Sequence, residues 1–134
     1  MLYTFTKKER LNSKKNISFL FEQRSSFFSY PFKIYYHFHS ESPKESTAKV
    51  LFSIGKKQFK HAVDRNHIKR LCREAYRLNK HILYDKLGEK ELSVELAFVF
   101  VGKTLPDFHE LQAKIQKALV HITLLENNDP IKAQ

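Results

Sequence analysis

Cysteine, glycine and long apolar runs are all scarce in this sequence, and each scarcity excludes a class of protein. The single cysteine, Cys72, cannot form a disulfide within the chain, which excludes a disulfide-stapled secreted domain. Three glycines are too few for the Gly-rich loops that bind nucleotide phosphates. The longest apolar run, from Leu96 to Val101, is far shorter than the roughly 18 residues that indicate a membrane-spanning helix.

These absences predict a protein of the reducing cytoplasm, with no membrane partner. No apolar stretch follows the lysines near the N-terminus, so no signal peptide is expected. The 134 residues match the usual size of one domain, and a hydrophobic fraction of 42% is typical of globular chains. We therefore predict a single domain over residues 1–134, with a core at about 10–126 and a frayed tail at 127–134.

Positive charge is abundant and unevenly placed. The net charge is +10. Residues 1–80 carry 18 Lys and Arg against 6 Asp and Glu, whereas residues 81–134 carry 6 against 8. A chain this basic binds polyanions, so we expect nucleic acid to meet a surface built mainly from the first 80 residues.

Hydrophobic periodicity predicts six elements in the order α-β-β-α-β-α. Alternating residues predict strands at 30–39, 48–55 and 93–101, and apolar stripes predict helices at 13–23, 64–83 and 107–126. Ser13, Asp64 and Asp107 are placed to cap these helices. Because the polar loop at 40–48 joins the first two strands, we expect them to pair as an antiparallel hairpin. The predicted fold class is α+β, with helices against one face of a small, mostly antiparallel sheet.

The helix predicted at 64–83 separates apolar from basic residues. At about 100° per residue, Ile68, Cys72 and Ala75 share one side. The opposite side is a basic band that consists of Asn66, Lys69, Arg70, Arg73, Arg77 and Lys80. Stacked cations repel one another, and only Glu74 lies close enough to relieve the repulsion. We therefore expect an anionic partner at the basic band, although a solvated basic face is the alternative interpretation.

These residues resemble the signature helix of the bacterial ribonuclease P protein subunit. Arg65-Asn66-His67-Ile68-Lys69-Arg70-Leu71, followed by Arg73, is similar to that family's Arg-Asn-Arg triplet, its Ile-Lys-Arg-Leu run and a further Arg. Arg10-Leu11 and the paired lysines Lys56-Lys57 after a strand extend the resemblance over most of the chain. His67 stands where the family has arginine, and we expect this to weaken one RNA contact.

The resemblance implies a subunit of a tRNA-processing ribonucleoprotein. In this family a large catalytic RNA removes the 5′ leader of precursor tRNA by metal-assisted hydrolysis, while the protein binds both RNAs. The expected partners are therefore ribonuclease P RNA and precursor tRNA. Mg²⁺ is expected to serve the RNA, with no cofactor bound by the protein itself. The implied fold is similar to domain 2 of ribosomal protein S5, with a left-handed crossover.

The resemblance also implies two RNA-binding surfaces. The signature helix of the family faces the catalytic RNA, and a cleft between the first helix and the sheet holds the leader. The residues that fall on the signature helix are Arg65, Asn66, His67, Lys69, Arg70, Arg73 and Arg77. Those that fall on the leader cleft are Ile17, Phe21, Lys33, Tyr35, Lys56 and Lys57. Aromatic rings there can stack unpaired bases while lysines contact phosphates, although Ile17 and Phe21 also suit a core.

No catalytic residue is expected in the chain itself. Cys72 lies on the apolar side of its helix and is predicted to be a buried structural thiol. His37 and His39 share a strand face, but two histidines alone make a poor metal site. Asp64 and Glu74 are interpreted as a helix cap and an ion-pair partner. The resemblance implies endoribonuclease activity for the holoenzyme, and together with these residues it predicts that this chain is the non-catalytic subunit.

Three other functions stay open. A ribosomal or other structural RNA-binding protein explains the charge and the fold class, but not the signature run together with the paired lysines. A helix-turn-helix DNA-binding protein needs a helix shortly before residue 64, where a strand is predicted. A free-standing protein nuclease would cleave RNA without an RNA subunit.

Overall fold

A four-stranded sheet forms the centre of the molecule. The computed structural model describes residues 5–22, 25–39, 48–90 and 92–125. The predicted loop at 40–48 falls almost wholly outside them, as does the predicted tail at 127–134. The strands are β1 (Ser26–Ser29), β2 (Phe32–His39), β3 (Ala48–Ile54) and β4 (Ser93–Phe100). Their order across the sheet is β1-β2-β4-β3, with β3 and β4 parallel and the other two pairs antiparallel.

Four α-helices and a short 3₁₀ turn complete the described part of the chain. The helices are α1 (Lys14–Glu22), α2 (Ala62–Asn79), α3 (His81–Lys90) and α4 (Phe108–Leu125), and the 3₁₀ turn is Lys7–Glu9. None of the described helices is both long and apolar enough to span a membrane. The α+β class and the alternation of helices and strands agree with the prediction.

The predicted hairpin between the strands at 30–39 and 48–55 is wrong, because β4 lies between β2 and β3. The crossover through α2 and α3 brings β4 into the centre of the sheet. Strand β4 suits a central position because Val94, Leu96, Ala97 and Phe98 are buried, so both of its faces are covered. Strand β1, a four-residue edge strand that pairs with the first half of β2, was not predicted.

The main core lies between one face of the sheet and helices α2, α3 and α4. Alternate strand residues supply Phe32, Ile34, Phe52 and Phe98, as their spacing predicted. The ring of Phe98 packs 5.1 Å from that of Phe52 and 5.4 Å from that of Phe32, measured between centroids. The helices complete this core with their apolar stripes, which include Ile68, Cys72, Ala75, Tyr76, Leu111, Ile115 and Ile122.

Helix α1 packs on the opposite face of the sheet, so the prediction that all helices share one face is wrong. Leu20 of α1 is fully buried against Ala97, which lies at the centre of that face. Ile17 and Phe21 flank Leu20 and are half-buried. Helices therefore cover both sides of the sheet, because α1 has an apolar stripe of its own that must be buried. We call this side of the sheet the α1 face.

The helix ends explain two further differences from the prediction. The side chain of Ser13 accepts a hydrogen bond from the Asn16 amide, and that of Asp107 accepts one from the Glu110 amide, so both predicted caps are confirmed. Asp64 is not a cap, because α2 begins earlier, after His61. Its carboxylate lies in the first turn of α2, where the helix dipole favours negative charge. The predicted helix at 64–83 covers most of α2 and only the start of α3, which begins after Lys80 and continues to Lys90 beyond the predicted range.

Candidate nucleic-acid interface

The basic band lies on the exposed side of α2, as predicted. Ile68, Cys72 and Ala75 are buried, whereas Asn66, Arg70 and Arg73 are exposed and Lys69 and Arg77 are half-buried. This division follows from the helical spacing, because residues three and four apart share a face. Within the described ranges, no ion pair involves Lys69, Arg70 or Arg73. Three cations of the band are therefore available to an anionic partner.

Glu74 relieves the charge at one end of the basic band. Its carboxylate accepts two hydrogen bonds from the Arg77 guanidinium, the shorter one spanning 2.6 Å from Nη2. This bond lowers the pKa of Glu74 and raises that of Arg77. The prediction of Glu74 as an ion-pair partner is confirmed. Exposed pairs of this kind contribute little to stability, so Arg77 can exchange Glu74 for a phosphate at small cost.

A groove separates the basic band from the N-terminal segment. A cavity of about 460 Å³ is lined by Phe5, Arg10, Asn66, Lys69, Arg70, Arg73, Glu74 and Arg77. A second cavity of about 290 Å³ shares Phe5, Arg10, Lys69 and Arg73 with the first, and it extends to Leu11, Asn12, Val50, Leu51 and Phe52. Because Leu51 also packs in the cluster under α1, the groove leads from the basic band towards the α1 face.

Arg10 faces the basic band across this groove, although it was not among the predicted site residues. Its guanidinium carbon lies 5.6 Å from the ring centroid of Phe5, and Phe5 packs edge-on against Tyr76 at 5.4 Å. Arg10 forms an isolated parallel β-bridge with Val50 of β3, and the amide of Leu11 donates a hydrogen bond to the Val50 carbonyl. Arg10 precedes α1 and lies on no periodic face, so only the tertiary fold brings it to the groove.

Lys80 does not belong to the basic band, contrary to the prediction. Its side chain is only 6% exposed and pairs with the carboxylate of Glu9, which is 10% exposed. The Tyr84 hydroxyl donates a second hydrogen bond, of 2.7 Å, to the same carboxylate. The reason is the end of α2 at Asn79, because a residue beyond the helix no longer follows its face. Lys80 instead fastens the 3₁₀ turn before Arg10 to the junction of α2 and α3.

Two opposing effects set the pKa of Glu9. Burial raises it, but hydrogen bonds from Lys80, the Thr6 amide and Tyr84 favour the ionised form and outweigh burial, so the pKa lies below its usual value. The ion pair with Lys80 is therefore present at neutral pH. Lys80 and Tyr84 together fix the segment that carries Phe5 and Arg10.

The first and third residues of the signature triplet have different surroundings. Nη1 of Arg65 donates hydrogen bonds of 2.8 and 3.0 Å to the carbonyls of Phe59 and Lys60, which ties the loop before α2 to the helix. His67 is exposed and does not line the groove in the described part of the chain. RNA contacts by Arg65 and His67 stay predictions.

The α1 face brings together three residues of the predicted leader cleft. The rings of Phe21 and Tyr35 meet edge-on with centroids 4.6 Å apart, and Ile17 packs in the same cluster. Lys33 is exposed, and its ammonium lies 5.2 Å from the ring centroid of Tyr35. Ile17, Phe21 and Tyr35 are each half-buried. Ile17 and Phe21 can therefore belong to both the core and the cleft, because each side chain is partly packed and partly accessible.

Lys56 and Lys57 lie at the same end of the sheet as Lys33. Phe100 of β4 pairs with Phe32, at the start of β2, and with Ile54, at the end of β3. Lys33 follows Phe32, and the two exposed lysines come just after Ile54. The three predicted leader-cleft lysines therefore lie at one end of the sheet.

Cys72 is fully buried, and burial raises the pKa of its thiol to about 12, which confirms the structural role predicted for it. No group of three or more His, Cys, Asp or Glu side chains in the described ranges is placed to hold a metal ion.

The helix-turn-helix alternative for DNA binding is wrong, because the element before α2 is the strand β3, followed by a turn, and not a helix.

Known sequences that resemble this chain carry the name of one family. The sequence family described as Ribonuclease P matches residues 5–123. The ribonuclease P protein component of Porphyromonas gingivalis is 40% identical over 120 residues, which cover 90% of this chain and 87% of that protein. The component from Chlorobaculum tepidum is 43% identical over 88 residues, which cover 61% of this chain and 56% of the other.

Solved structures share the fold. The ribonuclease P protein from Thermotoga maritima superposes with a TM-score of 0.66 at 19% identity, over 84% of this chain and 96% of that one. The protein from Staphylococcus aureus gives a TM-score of 0.64 at 18% identity, over 85% and 94%. At these identities the likeness concerns the arrangement of helices and strands.

Proposed function

Because this chain belongs to the ribonuclease P family of protein subunits, we propose that it binds two RNAs at once. The holoenzyme is an endoribonuclease of tRNA processing, and this chain is its protein subunit. The catalytic RNA meets the basic band, and the 5′ leader of precursor tRNA meets the α1 face. Hydrolysis belongs to the RNA subunit with its Mg²⁺, and the protein supplies binding and position.

The chemistry of the basic band supports contact with a folded RNA. Arginine presents a planar fork of N–H donors that matches two phosphate oxygens, and Asn66 adds a donor and an acceptor for a sugar or a base. Arg70 and Arg73 are exposed, and Arg10 faces them across the groove. Cations on both walls let the groove neutralise phosphates from two sides, which releases counterions and makes binding dependent on salt.

The chemistry of the α1 face supports contact with an unpaired strand. The half-buried Tyr35 is held by Phe21 on one side, so its ring is already ordered before a base arrives. Stacking on an ordered aromatic ring is worth about 1–3 kcal/mol per base and tolerates any sequence. Lys33, Lys56 and Lys57 provide charge for the phosphates that link the stacked bases. This combination suits a leader whose sequence varies among precursor tRNAs.

One observation carries the proposal, namely that the groove beside the basic band reaches residues of the α1 face. Arg10, Lys69 and Arg73 line both cavities, and the second cavity extends to Leu51 under α1. A catalytic RNA held at the band and a leader held on the α1 face are then neighbours. The leader would emerge beside the RNA that cuts it.

The direct test is the affinity of the holoenzyme for tRNA with and without a leader. Ribonuclease P RNA is titrated with precursor tRNA and with mature tRNA, in the presence and in the absence of this protein. We expect the protein to raise the affinity for the precursor and to leave that for mature tRNA nearly unchanged. Equal gains for both tRNAs would contradict leader binding, and no gain for either would contradict the whole proposal.

A further inference from the structure

We infer that the leader path extends past Tyr35 to a second base-stacking site, formed by Phe28 and Tyr30 at the edge of the sheet. The ligand class is the unpaired nucleotides of single-stranded RNA. The inference rests on the proposed function, because it assigns further leader nucleotides to the same face of the sheet.

The register of the strands defines a path across the sheet. Phe28 of β1 pairs with Lys33 of β2, Lys33 pairs with Val99 of β4, and Val99 pairs with Ser53 of β3. Paired residues point to the same side of a sheet, so these four form one row, which we call the open row. The adjacent row contains Tyr35, Ala97 and Leu51, which pack in the cluster under α1. The open row therefore lies on the α1 face, next to the leader residues.

The open row is most accessible at its β1 and β2 end. Phe28 is 63% exposed, Lys33 is exposed, and Val99 and Ser53 are half-buried. Tyr30, in the turn that follows β1, is 57% exposed, and its ring centroid lies 6.3 Å from that of Phe28. Two large and mostly exposed aromatic side chains thus lie together at one end of a row whose other end leads to Lys56 and Lys57. Tyr30 also lines a small cavity with Phe100 and residues of α4.

Packing in the protein core does not explain why the chain has a phenylalanine at position 28. The alternation along β1 sends its neighbour Phe27 to the main core, where Phe27 packs against Tyr36 and His121. Phe28 then points to the α1 face, beyond the rings that pack under α1. A large aromatic residue exposed on an edge strand favours unwanted association unless a partner covers it.

The positive charge beside Phe28 favours RNA as that partner. Lys33 lies directly across from Phe28 and beside Tyr35, so a cation separates the two aromatic sites. This alternation of ring, cation and ring matches a single strand, whose bases stack while its phosphates need counter-charges. A second copy of this chain, with a net charge of +10, would instead bring like charges together.

Shortened leaders test the inference. Holoenzymes with Phe28→Ala or Tyr35→Ala are titrated with precursor tRNAs whose leaders are shortened one nucleotide at a time. We expect Phe28→Ala to weaken binding of the longest leader by roughly fivefold or more, from the loss of one stacked base. The losses caused by the two substitutions should disappear at different leader lengths, because the two sites hold different nucleotides. Val120→Ala, which removes an exposed apolar side chain from α4, is the matched control.

A fluorescence measurement provides a second test of the proposed stacking site. The chain has no tryptophan, so Phe28→Trp introduces a single indole at the proposed site. We expect the leader to quench its fluorescence, while mature tRNA leaves it unchanged. Fluorescence that ignores the leader would overturn the inference, as would a Phe28→Ala variant that binds every leader as tightly as the unaltered protein.

The outcomes separate this inference from the function on which it rests. If Tyr35→Ala weakens precursor binding and Phe28→Ala does not, the second site is wrong and the leader cleft stands. If the protein gives no preference for precursor over mature tRNA, the proposed function itself fails. If Phe28→Ala reduces self-association in sedimentation and leaves leader affinity intact, the aromatic pair is a contact between copies and the second site is wrong.

Discussion

We expect Tyr35 to carry the largest share of leader recognition among the side chains of the α1 face. It is the predicted cleft residue that combines an aromatic ring, partial exposure and a neighbouring cation. Tyr35→Ala should lower affinity for precursor tRNA by roughly tenfold, since a lost stacked base is worth about 1–3 kcal/mol. Affinity for mature tRNA should not change. Tyr35→Phe is the control, because it keeps the ring and should bind the precursor nearly normally in the same titration.

Arg70 is expected to contact a phosphate of the catalytic RNA. It is exposed in the middle of the basic band, and no described acid neutralises it. Arg70→Ala should weaken assembly with ribonuclease P RNA and reduce the salt dependence of the binding constant by about one charge. Lys117→Ala, at an exposed position of α4 away from the band, should leave the salt dependence unchanged. An unaltered slope for Arg70→Ala would remove this residue from the interface.

Individual residues also mark the limit of what periodicity can predict. Helical spacing placed Arg70 and Arg73 correctly, because those positions depend only on the local rise and turn of α2. It misplaced Lys80, which lies beyond the end of the helix, and it could not find Arg10, which belongs to no regular element. Both depend on contacts between distant parts of the chain, which the spacing of residues does not contain.

The ion pair between the 3₁₀ turn and the α2–α3 junction should be important for stability. Removing one partner of a buried pair leaves the other charge uncompensated, which costs about 3–5 kcal/mol. Lys80→Met should lower the free energy of unfolding by about 3 kcal/mol, the lower end of that range, since the N-terminal segment can detach and rehydrate Glu9. The double variant Glu9→Gln with Lys80→Met should recover part of the loss in denaturant titration.

A surface pair provides the control for this experiment. The ammonium of Lys86 lies 3.8 Å from the Glu89 carboxylate, and the Glu89 side chain is 68% exposed. Lys86→Met should change the free energy of unfolding by less than about 0.5 kcal/mol. Similar losses for Lys80→Met and Lys86→Met would contradict the structural role assigned to the buried pair.

The same pair predicts a pH dependence. The pKa of Glu9 is lower in the folded chain than its usual value of 4.5. Its contribution to stability is therefore complete above the unfolded pKa and is lost as the pH falls through the folded pKa. Denaturant titrations below about pH 4.5 should show a smaller loss of stability for Glu9→Gln than for the unaltered chain. Parallel curves for the two proteins would exclude Glu9 as a source of acid sensitivity.

Helices α1, α2 and α4 and the long strands were predictable because each has a periodic pattern of its own, whereas α3 beyond residue 83 was not predicted. The predicted strand at 93–101 differs from β4 by one residue, and the predicted helix at 107–126 by one residue at each end. The order of the strands was not predictable in the same way. Chain neighbours β2 and β3 suggested a hairpin, yet the burial of β4 on both faces placed it between them. Strand β1 has four residues, too few for its alternation to be recognised.

The molecule as a whole separates a basic half from a scaffolding half. Much of the positive charge of residues 1–80 lies on α2, around the 3₁₀ turn and after β3, whereas α4 mainly buries its apolar stripe against α2 and α3. A sheet with a helical layer on each face presents the basic band and the α1 face as separate surfaces joined by one groove. Two RNAs can then be held by a chain of only 134 residues.

Leader removal by bacterial ribonuclease P RNA at low Mg²⁺, with and without this protein, tests the central claim most directly. Because the proposed function has the protein neutralise RNA phosphates and hold the leader, we predict strong stimulation of cleavage where the RNA alone is slow. The protein alone should cleave nothing, which also tests the free-standing nuclease alternative. Absence of stimulation by a folded sample would contradict the account and favour a ribosomal-type RNA-binding role.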